Sequence, residues 1–175
     1  MSAFVVPHDP AWKTMFQAEA SSIRETISPI SIALHHIGST AVPGILAKPI
    51  IDMLGEVQKL EDADICTPSL EALGYEAMGS YGIDGRRYFR KINALGKRTH
   101  HLHVFEAKSK HAFRHLAFRD YLIAHPDVAL AYSQLKETLT RGVGVSWEGY
   151  IEGKDPFVRR IEADAVDWYA RQRRK

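Results

Sequence analysis

Two apolar runs flank a polar, glycine-bearing turn between Leu34 and Leu54, and the other hydrophobic segments alternate around them. Leu-His-His-Ile leads into Gly38-Ser39-Thr40, and Pro-Ile-Ile-Asp-Met-Leu follows a small-residue connector. This pattern predicts strands over 32–37 and 49–57. Upstream, Trp12, Phe16, Ile23 and Ile27 recur at spacings of four or seven, while Lys13, Glu19, Arg24 and Glu25 fall largely outside that stripe. A helix is expected there, opened by Asp9-Pro10 and closed by Ser28-Pro29. Downstream, a helix ends at Leu73-Gly74, and Pro68 either opens a short helix after Thr67 or kinks a longer one from near Glu61. Residues 75–78 suit a strand. Residues 87–93 and 99–106 suit an antiparallel hairpin across a five-residue linker containing Gly96.

The last third changes to helical spacing. Ser109 is placed to cap a helix with Phe113, Leu116, Phe118 and Leu122 on its apolar side, turned at His125-Pro126. Val128, Tyr132, Leu135 and Leu139 share one face of the next helix, stopped by Gly142. Asp155-Pro156 repeats the opening seen at Asp9-Pro10, with Phe157, Ile161, Ala165 and Trp168 as the apolar side. The expected architecture is α/β (α+β), a single domain over residues 1–175 with a helical C-terminal third.

Composition narrows the function classes. Apolar residues are 45% and charged ones 25%, as in ordinary globular proteins, and a net charge of +2 is no strong nucleic-acid signal. Cys66 is alone, so an internal disulfide is excluded and a reducing compartment is expected. No segment approaches the ~18 consecutive apolar residues of a membrane span. The first residues lack a basic, apolar secretory start, so the expected location is the cytoplasm, with no membrane partner.

The candidate chemistry gathers at the central strands. Gly38 permits a tight turn, and the Ser39 and Thr40 hydroxyls beside backbone N–H groups suit a phosphate, although such tripeptides also occur as plain turns. Lys48 precedes the acid-bearing strand, where a cation suits the same anion. Asp52 lies between apolar neighbours, and a carboxylate there needs a cation or donors. His101 and His103 alternate onto one face of their strand, where they can share a ligand, and Glu106 points away from them. Arg86, Arg87 and Arg90 cluster near Tyr88, with Tyr88 and Arg90 on one face. His111 and His115, four apart on a helix, have zinc-ligand spacing, but such pairs are more often solvated.

The stretch His36-Ile-Gly-Ser-Thr-Ala-Val-Pro-Gly44, followed by Ala47-Lys-Pro-Ile-Ile-Asp52, resembles the signature of the GrpB family of small bacterial proteins. The resemblance continues through Leu73-Gly-Tyr75, His101-Leu-His103, Phe118-Arg-Asp-Tyr121, His125-Pro126 and Tyr150-Ile-Glu-Gly-Lys154. It implies a nucleotidyltransferase-like mixed β-sheet flanked by helices, and a nucleotide or other phosphate-bearing small molecule as ligand. By that resemblance Gly38, Ser39, Thr40, Lys48, Tyr88, Arg90, Tyr150 and Lys154 would bind the ligand. Asp52 would hold Mg²⁺, and His101 or His103 would supply a ligand or a proton-transfer group. Active members of the superfamily carry a second acid two residues on, where Leu54 stands here. Glu56 is about 13 Å from Asp52 along a strand rising ~3.3 Å per residue. Two other readings follow: a noncatalytic ligand-binding or regulatory protein, and a histidine-metal hydrolase. Histidine-triad chemistry is not adopted, because Phe105 occupies the third histidine position.

Overall fold

The computed structural model describes residues 5–141 and 144–175. In chain order these form α1 (Ala11–Ile27), β1 (Ala33–Ile37), a 3-10 turn (Ser39–Ala41), β2 (Ile51–Val57), α2 (Leu60–Ala72), β3 (Tyr75–Ala77), β4 (Arg87–Ile92), β5 (Arg98–Glu106), α3 (Lys110–Ala124), α4 (Pro126–Thr140) and α5 (Trp147–Gln172). The mixed sheet, its helices and the helical C-terminal third match the expected α/β (α+β) class. Chain contacts gather into two compact units woven from separate segments. A sheet unit comprises Pro10–Ile37 and Ile50–Ala112, and a helical unit comprises Gly38–Pro49 and Phe113–Lys175 with the segment up to Asp9.

In the sheet unit the strand order is β1-β2-β5-β4-β3. β2 and β5 run parallel, and the β1–β2, β4–β5 and β3–β4 pairs are antiparallel. The expected 87–93/99–106 hairpin is therefore present. Alternation turns Ile51, Met53 and Val57 to one face, where α1 and α2 pack, and Asp52, Leu54 and Glu56 to the other. Trp12, Ile23 and Ile27 lie on the buried side of α1 as the spacing predicts. Glu19 differs from expectation. It stands three residues after Phe16 and four before Ile23, so it falls on the buried side. It is accommodated by Lys91 Nζ, which donates at 2.9 Å, and Tyr75 Oη, which donates at 2.7 Å. Pro10, with helical angles, takes the cap position assigned to Asp9. Of the two paths open at Pro68, the chain takes the longer helix. Pro68 lies inside α2, where its missing N–H removes one bond of the ladder.

In the helical unit, Val42, Ile45, Leu122, Ala129, Tyr132 and Ile161 form the buried cluster, with Phe118, Phe157 and Val158 packed against it. Ser109 Oγ accepts from the Ala112 N–H at 3.2 Å, the expected cap of α3. Two helical readings need correction. The buried side of α4 is Ala129, Tyr132, Ser133 and Lys136, rotated from the purely apolar stripe toward two polar residues. Asp155-Pro156 does not open the last helix. α5 begins at Trp147, capped by Ser146 Oγ accepting from the Gly149 N–H at 3.0 Å, and Pro156 lies inside it. Phe157, Val158 and Ile161 tie the following turns into the cluster, so the helix continues despite the lost bond. At Gly153 an added Cβ would come within 2.4 Å of Leu139 Cδ2, so the absence of a side chain permits the close α4–α5 approach. Gly142, the expected stop of α4, lies outside the described residues. Among those described, no helix is long and apolar enough to cross a membrane.

Candidate functional site

Strand register in the sheet unit assembles the first cluster. β2 and β5 place Asp52 opposite His101 and Leu54 opposite His103, while β4 and β5 place Arg90 opposite His101 and Tyr88 opposite His103. Asp52, His101, His103, Tyr88 and Arg90 therefore share the face away from α1 and α2. His101 Nδ1 lies 3.4 Å and His103 Nε2 3.6 Å from the same oxygen, Asp52 Oδ1. Burial alone would push the Asp52 carboxyl up, but the two imidazoles outweigh it and hold the group well below the usual carboxylate range. The Tyr88 ring meets His103 at 5.1 Å and the edge of His101 at 5.6 Å. Burial and the nearby Asp52 charge push its phenol upward.

Arg86 joins this cluster from the loop before β4. Its Nε and Nη2 donate to the Ser80 and Tyr81 carbonyls at 3.1 and 2.9 Å, and its Nη1 lies 3.3 Å from His103 Nδ1. Arg90 pairs with Glu76 at 2.8 Å. Arg87, on the opposite face, pairs with Asp64 of α2. Glu56 and Glu106 are engaged elsewhere. Glu56 bonds His35 at 2.8 Å and accepts from the Lys108 N–H at 3.1 Å, while Glu106 accepts from the Leu60 N–H at 3.3 Å. His111 stacks on Phe105.

The donor set does not suit Mg²⁺. The ion prefers hard oxygen ligands in near-octahedral geometry, whereas Asp52 offers one carboxylate already met by two imidazoles, and Leu54 fills the next inward position. Among the described residues, no group of three or more His, Cys, Asp or Glu side chains is arranged to hold a metal ion.

The second cluster lies in the helical unit and turns on a residue that the apolar spacing of α4 passes over. Lys136 is only 2% exposed. Its ammonium donates to Ser39 Oγ and, at 2.9 Å, to the Leu46 carbonyl, and stands 4.1 Å from the centre of the Tyr132 ring. Ser133 Oγ accepts from the Leu46 N–H at 2.9 Å, fixing the connector. Gly38, at φ 72°, takes a backbone conformation that favours glycine and turns the chain into Ser39. Thr40 is buried. The readable signal for Lys136 was its i+4 spacing from Tyr132, on the same helix face. Lys48, Trp147, Tyr150 and Lys154 form a ladder. Lys48 Nζ lies 4.4 Å from the Trp147 ring, Trp147 stacks on Tyr150 at 5.7 Å, and Lys154 Nζ lies 5.0 Å from the Tyr150 ring. Burial pushes the Tyr150 phenol up to about 12.

The family model described as GrpB protein matches residues 2–164. The chain belongs to the GrpB family. It is 42% identical over 164 residues to UPF0157 protein YqkA of Bacillus subtilis, an alignment covering 94% of this chain but 47% of that relative. The chain thus spans about half the length of that GrpB relative. The crystal structure of conserved protein GrpB from Enterococcus faecalis superposes with a TM-score of 0.87 at 40% identity, over 94% of this chain and 98% of that one. The Cid1 poly(U) polymerase superposes with a TM-score of 0.54 at 15% identity, over 74% of this chain and 43% of the polymerase, a likeness of fold alone. This GrpB member has a nucleotidyltransferase-like fold.

Proposed function

We propose that this GrpB-family chain binds a nucleotide or another phosphate-bearing small molecule. The observation that carries the reading is the Lys136–Ser39 contact within the helical unit. Burying an ammonium is costly unless polar groups receive it. Here it polarises a serine hydroxyl that accepts from it and keeps its own hydrogen to donate, a combination suited to an anionic oxygen. Gly38 brings the backbone to that hydroxyl without a side chain, and Lys48 and Lys154 add positive charge to the same unit. The fold shared with a poly(U) polymerase favours a nucleotide among phosphate-bearing ligands.

A second reading, a noncatalytic ligand-binding or regulatory role, is favoured by Leu54. It is fully buried at the position where the superfamily's active members are expected to carry the second acid. The test is thermal unfolding of the full chain with ATP, GTP, CTP, UTP and inorganic phosphate in turn, with and without Mg²⁺. A ligand at 100 times its Kd raises stability by about 2.7 kcal/mol. Stabilisation by at least one nucleotide, lost in Ser39→Ala, is the expected outcome, and no stabilisation by any of the five overturns the reading. Stabilisation without turnover on any hydroxyl acceptor supports the noncatalytic role.

A further inference from the structure

The hydrogen-bond directions around Asp52 distinguish two histidines that the sequence leaves equivalent. An arginine guanidinium only donates, so His103 Nδ1, 3.3 Å from Arg86 Nη1, acts as acceptor in that contact. The His103 hydrogen then sits on Nε2, the atom 3.6 Å from Asp52 Oδ1. An ionised carboxylate only accepts, so His101 Nδ1, 3.4 Å from the same oxygen, carries its ring hydrogen. In the neutral ring His101 Nε2 is then the bare nitrogen. It is buried, without a hydrogen-bond partner among the described residues, on a side chain 11% exposed. Buried polar atoms are nearly always satisfied, so such an atom at the centre of a polar cluster calls for a ligand group to meet it. Arg90 Nε, on the residue paired with His101, is likewise buried and unpartnered.

We propose that Arg86 sets the two histidines in opposite tautomers, so that His101 Nε2 is the proton acceptor for a hydroxyl of a ligand held at this face of the sheet unit and His103 is a fixed donor to Asp52. The ligand's identity rests on the phosphate reading above; the tautomers do not. In the step this allows, the hydroxyl proton moves to His101 Nε2 and its oxygen keeps the electron pair. The imidazolium then points its Nδ1–H at Asp52, whose negative charge stabilises it. Arg86 is a positioning residue. It acts through His103 and, by its bonds to the Ser80 and Tyr81 carbonyls, has its guanidinium fixed in place.

The experiment is nitrogen NMR of the full chain with ¹⁵N-labelled histidine at neutral pH, with no ligand, the signals assigned from His101→Gln and His103→Gln. The expected spectrum has His101 protonated on Nδ1 and bare on Nε2, with His103 the reverse. Arg86→Met should convert His103 to a mixture of tautomers while His101 keeps its own, and Arg86→Lys, which retains a donor, should restore part of the preference. His101 protonated on Nε2, or both histidines in one tautomer, overturns the proposal in the parent spectrum alone, whether or not Arg86→Met folds. Zn²⁺ titration shifting the His101 Nε2 signal at stoichiometric metal would make that nitrogen a metal ligand and also overturn it. Because no nucleotide is present, this failure is distinct from failure of phosphate binding.

Discussion

Two carboxylates lie on opposite faces of the same sheet, and their surroundings differ in kind. Glu19 faces Lys91 at 2.9 Å, the Tyr75 hydroxyl at 2.7 Å and His100 at 3.9 Å, and its side chain is 10% exposed. Asp52 faces two imidazoles at 3.4 and 3.6 Å and keeps 31% of its side chain exposed. Burial opposes ionisation at both, and at both the surrounding groups outweigh it and lower the pKa. Yet the Glu19 set is closed, with a formal cation and a phenol on the acid, whereas both contacts at Asp52 fall on one oxygen and a neighbouring imidazole nitrogen has no partner among the described residues. A closed network of this kind stabilises a fold, and an open one around a partly exposed carboxylate suits a ligand.

Glu19→Ala should give the largest effect. It leaves the Lys91 ammonium and the Tyr75 hydroxyl facing an apolar gap, and the expected loss is about 3 kcal/mol in urea unfolding, toward the lower end for breaking a buried pair because Lys91 is partly exposed. A loss below about 1 kcal/mol would remove the contrast between the two acids. Tyr75→Phe, which deletes one hydrogen bond to a charged group, should cost about 1.5–2 kcal/mol by the same measurement. The Tyr75 phenol, pushed upward by burial and by Glu19, stays protonated throughout the ordinary pH range. Asp52→Asn should cost less than about 1 kcal/mol, because a partly exposed, single-oxygen arrangement contributes little to folding. A cost as large as that at Glu19 would make Asp52 a structural acid.

The pH dependence sharpens the same contrast. Each acid has a folded pKa below its unfolded value, about 4.3 for Glu and 3.9 for Asp. Its contribution is therefore complete above the unfolded value and is lost as pH falls through the depressed folded one. The stability gap between the parent and Glu19→Gln should shrink as pH falls below about 4, and the corresponding gap for Asp52→Asn should follow the same course there at smaller amplitude. A gap that widens below about pH 4 would reverse the sign of the proposed shift.

Much of the sheet unit was legible in the chain, and the reasons are local. The alternation around Met53 and Leu54, the glycine-bearing linker at Gly96 and the stripe from Trp12 to Ile27 each specify an element from neighbouring residues. Glu19 carries a charge that points to solvent, but its position, three after Phe16 and four before Ile23, puts it on the buried side. Asp155-Pro156 looked like a helix opening because acid followed by proline is a common first turn. The true start at Ser146 shows only a serine with a glycine three residues later, a weak signal beside it. Lys136 is hidden from the apolar pattern because a stripe of Tyr132, Leu135 and Leu139 defines a helix face without it. The pairing of Asp52 with His101 and Leu54 with His103 depends on parallel register between strands 49 residues apart, which no local pattern encodes. Arg86 reaches His103 only because two loop carbonyls hold its guanidinium.

The central claim is that the glycine-serine corner of the helical unit, with Lys136 behind it, binds a phosphate-bearing ligand. Isothermal titration of the full chain with the four ribonucleoside triphosphates, repeated for Lys136→Met after its fold is verified by circular dichroism, tests it most directly. Saturable binding of at least one nucleotide, weakened about tenfold or more in Lys136→Met, is the predicted result, as expected for losing a charge-assisted contact. Equal affinity in the folded variant, or no binding to the parent chain, would contradict it.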